Sequence, residues 1–155
     1  MTNQKLFNEI FSKAANYCSK SEKCNFDIFQ YLKKQDYDQE IIEAVVEKLN
    51  SENYINESRY SAAFVNDKFQ FSGWGKIKIA YMLGQKQIPS SIINSSLNLI
   101  DQQEYEDQLQ KILKAKIKNI KTDDKSILKE KLLRFASSRG FEIENIYKIF
   151  DILGI

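Results

Sequence analysis

A chain of 155 residues, 43% hydrophobic and 28% charged, has the balance of a globular protein and enough length to bury a core. It contains no histidine, so no Ser-His or Cys-His pair can form, and its two cysteines, Cys18 and Cys24, suffice neither for a disulfide framework nor for a zinc site. A carboxylate or lysine enzyme survives these exclusions, but the sequence shows no Walker loop, no G-x-G-x-x-G and no G-x-S-x-G, so we expect no catalytic residue, no metal and no cofactor. No run approaches the roughly 18 apolar residues of a membrane span, and Met1 to Lys13 is polar and mixed in charge, unlike a signal peptide. Both thiols then read as buried or partly buried groups of a reducing compartment, the cytoplasm.

Apolar residues recur at helical spacing along almost the whole chain, and five glycines with one proline leave few sharp turns. A first helix carries Phe7, Ile10, Phe11, Ala14 and Cys18 on one face. A second shows Ile28, Phe29 and Leu32, and a third Ile41, Ile42, Val45, Val46 and Leu49. Tyr60, Ala63 and Phe64 begin a fourth, Ile79, Tyr81 and Leu83 a fifth, and Ile92, Ile93, Leu97 and Ile100 a sixth. The remainder continues with Leu109, Ile112, Leu113 and Ile120, then Leu128, Leu132 and Phe135, then Ile146, Phe150 and Leu153. Nothing alternates with period two, so we expect no strands. Gly73 and Gly75 around Trp74 form a loop too short to cradle phosphates and read as a turn between helices.

Three segments superimpose. Ile28, Leu32, Tyr37, Ile42, Val46 and Leu49 align with Ile79, Leu83, Ile88, Ile93, Leu97 and Ile100 at an offset of 51. These align in turn with Leu132, Ala136, Phe141, Ile146, Phe150 and Leu153 at an offset of 53. Each segment is a helix pair joined by a short turn, with the second helix starting near Asp38, Pro89 or Glu142. One helix precedes each pair. The expected fold is therefore all-α: three tandem three-helix repeats, 1–52, 53–101 and 102–155, each too small to be stable without its neighbours. A helix pair with a tight turn is also a helix-turn-helix, but the helices that would enter a groove carry Glu40, Glu43 and Glu47, or Ser90, Ser91, Asn94 and Asn98, or Glu142, Glu144 and Asp151 against Lys148. Sequence-specific reading by these helices is not expected.

The formal charge of +2 conceals sorting along the chain. Nine acids face four lysines between Glu22 and Glu57. Five basic residues face Asp67 alone between Arg59 and Ile100, and ten face Asp123, Asp124 and Glu130 between Gln108 and Arg139. At about 100° per residue, Lys111, Lys114, Lys118 and Lys121 share one stripe opposite Leu109, Ile112, Leu113, Ile117 and Ile120. Lys116 falls toward the apolar side and should snorkel. Such a stripe on one isolated helix would be a solvated face; ten cations in a third of the chain point to an anionic partner.

The middle of the chain reads Glu57-Ser58-Arg59-Tyr60-Ser61-Ala62-Ala63-Phe64-Val65, then Gly73-Trp74-Gly75-Lys76-Ile77-Lys78-Ile79, then Leu83-Gly84-Gln85-Lys86-Gln87-Ile88. Together with Tyr17-Cys18-Ser19-Lys20-Ser21-Glu22-Lys23-Cys24 and Lys131-Leu132-Leu133-Arg134-Phe135-Ala136-Ser137-Ser138-Arg139-Gly140-Phe141, it resembles the RecX family, regulators that restrain the bacterial recombinase RecA. The likeness spans nearly the whole chain. It departs where Gln87 stands for the family's usual Gly and where Gln35-Asp36-Tyr37 replaces a Gly-containing turn; if those positions need positive φ, Asp36 or Gln87 is strained. The resemblance implies a monomeric, elongated and slightly curved array that lies in the groove of the RecA filament on DNA. Such a protein depresses ATP hydrolysis and strand exchange by occupancy, modulating recombination, repair and the SOS response. Direct contact with single- or double-stranded DNA would be weak and non-specific.

Candidate contacts with filament or DNA are Arg59, Lys76, Lys78, Lys86, Lys111, Lys114, Lys118, Lys121, Arg134 and Arg139. For three of the motif residues a structural role competes: Arg59 as a helix-start ion pair, Tyr60 as a core ring and Trp74 as a packing plug. Two other functions stay open, a non-sequence-specific nucleic-acid-binding helical module and a helical adaptor for another protein.

Overall fold

The computed structural model describes residues 2–155; Met1, the first residue of the polar stretch noted above, lies outside the described residues. Among the described residues there are nine α-helices and no strand: α1 (Thr2–Lys20), α2 (Asn25–Lys33), α3 (Gln39–Ser51), α4 (Glu57–Asp67), α5 (Lys76–Gln85), α6 (Ser90–Leu97), α7 (Gln102–Ile117), α8 (Lys125–Ser138) and α9 (Ile143–Leu153). A π-helical turn, Lys68–Ser72, extends α4 and stops at Gly73, whose φ of 68° is left-handed. The helices pack in threes. α1 and α2 lie on α3, α4 and α5 on α6, and α7, α8 and α9 on one another.

Helix starts follow from local chemistry. Asn56 and Asp101 cap α4 and α7 by accepting from the Arg59 and Glu104 amides at 2.9 and 3.0 Å. Asp124 caps α8 by accepting from Ser126 and Ile127. The third helix of each group begins at Asp38, Pro89 or Glu142, with φ/ψ of −62°/142°, −58°/142° and −73°/143°. Two residues earlier the chain turns through Asp36, Gln87 or Gly140 at φ of 60°, 60° and 93°. The Ile88 and Phe141 amides then reach back to the Leu83 and Ala136 carbonyls at 3.2 and 3.1 Å, closing the preceding helix in a Schellman-type turn. The repeat seen in the apolar pattern is thus reproduced in backbone conformation, and two of its three left-handed positions lack glycine.

That strain has a measurable consequence. A left-handed non-glycine residue costs about 1–2 kcal/mol, while glycine costs about 0.5–1 kcal/mol through the unfolded chain. Gln87 is exposed, so Gln87→Gly removes no packing. Thermal denaturation should show a gain of about 0.5–1 kcal/mol, or roughly 2 °C in Tm. A lower Tm would mean that the glutamine stem contributes more than its backbone costs.

The core is divided unequally. Ile10, Ala14, Ile28, Leu32, Ile42, Val45, Val46 and Leu49 form one cluster in the first group, and Ile55 joins it from the connection to α4. The second and third groups share a single cluster, running from Tyr60, Val65, Phe69, Ile79 and Leu83 through Tyr105, Leu109 and Leu113 to Leu132, Phe141, Ile146 and Phe150. Tyr81, grouped above with the apolar face of its helix, is 65% exposed, and Ala63 also faces solvent. One turn of α5 needs only Ile79 and Leu83 to meet α6. The chain exposes 9531 Å², against about 8,100 Å² for a compact protein of 18.1 kDa. The surplus is what a tandem array leaves open.

Candidate partner-binding surface

The Gly73-Trp74-Gly75 loop connects α4 to α5 within the second group of helices and packs against the third. At the start of α5, where helix amides lack internal acceptors, Gly75 and Ile77 donate to the carbonyls of Arg139 and Gly140 at 2.8 and 2.9 Å. Between them the Lys76 amide donates to the Tyr105 hydroxyl at 2.9 Å, and that hydroxyl donates to Glu142. Burial and then the Glu142 contact push the Tyr105 hydroxyl far above its usual range, so it stays a neutral donor. The third group therefore caps α5. The Gly75, Lys76 and Ile77 amides are thereby occupied and are not available to a phosphate. The sequence does not single out Tyr105, which sits among polar residues of α7 with no pattern to mark it.

Cations gather on aromatic faces around this seam. Lys68 and Lys78 place their ammonium groups 5.0 and 4.5 Å from the centre of the Trp74 ring, and Trp74 meets Phe64 edge-on at 6.3 Å. Lys76 lies 4.8 Å from the Tyr105 ring. Beyond Gly140, Arg139 and Lys116 stand 4.9 and 4.7 Å from the Phe135 ring. Arg139 also donates to the Ser72 carbonyl at 3.4 Å, which brings it against the Trp74 loop. Trp74 is half-buried and packs against the shared core, so it serves as a plug while its ring face holds two lysines. Each cation–π contact contributes about 0.5–1 kcal/mol and keeps a positive charge at the surface. Lys116 snorkels over Phe135, as its position in the helix requires.

Lys111, Lys114 and Lys118 form an exposed face on α7 and just past its end, and none has an ion-pair partner among the described residues. They line a shallow concavity with Asp107, Gln110 and Ala115. The stripe is one residue shorter than its spacing suggested. α7 ends at Ile117 with Lys118 as its cap, so Lys121 lies in the connection to α8 and not on the helix. There Ile117 and Ile120 both turn toward the core, and Asp124 restarts the chain as the cap of α8.

Three other candidates are held by carboxylates. Arg59 pairs through Nε with Glu22 and donates to the carbonyls of Asn53 and Tyr54 at 3.2 and 3.3 Å, while Tyr60 beside it is buried. Lys86 meets Asp27 at 2.7 Å, a hydrogen bond that raises the lysine's pKa. Arg134 pairs with Glu130 one turn away, at 2.9 Å and fully on the surface. Of the cysteines, Cys24 is buried and its thiol is pushed up to about 11 by that burial, leaving it protonated and unreactive at neutral pH. Cys18 is half-buried and shifted the same way.

Fold and surface together define a class: a tandem three-helix array whose exposed chemistry is a set of cations and rings suited to binding. Comparison with known proteins is specific. The family model described as "RecX, first three-helix domain" matches residues 11–49 and that of "RecX, second three-helix domain" residues 56–97, between them just over half of the chain. "Regulatory protein RecX" of Clostridium tetani is 32% identical over 142 residues, 90% of this chain and 65% of its own length. The protein of the same name from Streptococcus agalactiae is 30% identical over 139 residues, covering 90% of this chain and 53% of its own. A crystal structure of RecX from Lactobacillus salivarius superimposes with a TM-score of 0.87 at 20% identity, covering 96% of each chain. A second crystal structure of regulatory protein RecX gives 0.87 at 21%, covering 94% of this chain and 73% of the other. The chain belongs to the RecX family. It spans between about half and two thirds of the length of these curated relatives. No helix among the described residues is long and apolar enough to cross a membrane.

Proposed function

We propose that this chain binds the RecA filament on DNA and restrains its ATP hydrolysis and strand exchange by occupying the filament groove, with no chemistry of its own. Family membership supports the partner. The observation that carries the mode of binding is the α7 face, where Lys111, Lys114 and Lys118 stand exposed without ion-pair partners. Unpaired ammonium groups are available to phosphate or to acidic protein surface without first breaking an internal contact. Lys76, Lys78 and Arg139 add charge at the seam, already ordered on aromatic rings. Arg59 and Lys86 serve the array's internal joints instead, since engaging a partner would require them to leave Glu22 and Asp27.

The decisive measurement is ATP hydrolysis by the cognate RecA on single-stranded DNA as this protein is titrated in. Inhibition is expected at concentrations well below those that coat the DNA. Unchanged hydrolysis at excess protein refutes the proposal. Inhibition that appears only when DNA is limiting favours a second reading, a non-sequence-specific nucleic-acid-binding module; the cations ordered around Trp74 and Phe135 are what recommend it.

A further inference from the structure

The two joints of the array are built from different physics, and we infer that the first group of helices is an arm that pivots on an ionic joint while the second and third move as one body. Across the second joint, backbone meets backbone: Gly75 and Ile77 donate to Arg139 and Gly140, and a β-carbon at either Gly75 or Gly140 would come within 2.4 Å of the opposing chain. One apolar cluster runs through both groups, with Phe69, Tyr105 and Phe141 ring to ring at 5.7 and 5.3 Å. Such contacts are short, directional and shielded from salt.

The first joint has a different composition. Among the described residues, the two ion pairs that link different helix groups both lie there, Glu22 with Arg59 and Asp27 with Lys86. The amide of Asn25, at the start of α2, donates to the carboxylate of Glu57 at 3.1 Å, where the equivalent start of α5 is capped by backbone and a buried tyrosine. The first group keeps its own core, and its apolar contribution to the shared one is Cys24 with the partly buried Phe26. Arg59 and Glu22 keep 41% and 32% of their side-chain surface, so solvent and salt reach that pair, and they reach the other through Lys86, which keeps 37% while Asp27 keeps 16%. Exposed ion pairs of this kind are weak and are screened within a few ångströms at high ionic strength. Charge contacts also tolerate rotation that packed rings do not. The joint therefore holds one orientation at low salt and releases it when screened, and the inference concerns the free chain, independent of any RecA reading.

Electron–electron distance measurements on the full chain test it. With C18S as background, spin labels at E47C and N94C span the first joint, and labels at N94C and K129C span the second; all three positions are exposed. Between about 50 mM and about 1 M sodium chloride, where screening shortens to roughly 3 Å, the 47–94 distribution should widen about twofold while the 94–129 distribution stays constant. The D27N/R59Q variant should show the wide 47–94 distribution already at low salt, with circular dichroism checking that it folds; the salt series on the unaltered joint decides if it does not. A 47–94 distribution that stays as narrow as 94–129 at both salt concentrations overturns the inference. So does equal widening of both.

Discussion

Gly140→Ala should lower the melting temperature by about 10 °C, the largest effect expected from any single methyl group in this protein. A β-carbon at Gly140 would lie 2.4 Å from the Lys78 β-carbon and 2.5 Å from its amide nitrogen, and the residue's φ of 93° is one that side-chain-bearing residues rarely adopt. Overpacking against rigid backbone costs about 1–3 kcal/mol or more, and the conformational strain about 1–3 kcal/mol in addition. At roughly 2–4 °C per kcal/mol for a chain of this length, the sum reaches the stated shift. Gly75→Ala should fall nearly as far, since its β-carbon would meet the Gly140 carbonyl at 2.4 Å. The two changes press on the same contact, so the double variant should lose less than the sum. Gly84 supplies the control. It lies in α5 with nothing within 4 Å of an added β-carbon, and Gly84→Ala should raise stability by about 0.5–1 kcal/mol. Melting curves of the four variants and of the unaltered chain check this; equal losses at all three glycines would show that helix flexibility, and not the seam, sets their cost.

Reversing Lys111, Lys114 and Lys118 to Glu together should weaken binding to single-stranded DNA–RecA filaments by on the order of 100-fold at moderate salt. Each phosphate contact contributes close to one unit of log–log salt slope, so three lost contacts flatten the slope by about 2–3 on nucleic acid. The folded state should be little affected, because all three side chains are exposed and unpaired and the apolar side of α7 is left intact. Lys33 and Lys34, exposed at the end of α2, provide the matched reversal on the acidic group of helices, with a much smaller loss expected. Equal losses from both sets would mean that net charge alone governs binding. Full binding by the α7 variant would leave that face merely solvated.

The helical class, the threefold register and the starts of α3, α6 and α9 were all legible in the residues. These properties depend on short-range rules. Apolar spacing chooses the buried face, and a turn must sit where Asp36, Gln87 and Gly140 recur at matched offsets. The strain expected at Asp36 and Gln87 is present for the same reason, since a closing turn of this type has one backbone solution whatever residue occupies it. The lysine face on α7 was legible as far as Lys118. Its end was not, because helix termination there is set by Ile117 and Ile120 turning into a core that a linear pattern does not locate.

Tertiary structure decided which charges are free and which joints are stiff. Arg59, Lys86 and Arg139 look alike in sequence as members of a basic region, yet the first two meet carboxylates of the first helix group and the third lies on Phe135 beside the Trp74 loop. Tyr105 carries the second joint although nothing near it in the chain announces the role. Each of these pairings spans 29 residues or more apart from the local stacking of Arg139 on Phe135. Partners that distant are selected by how the helix groups stack, which is a property of packed surfaces and not of the order of residues along any one helix.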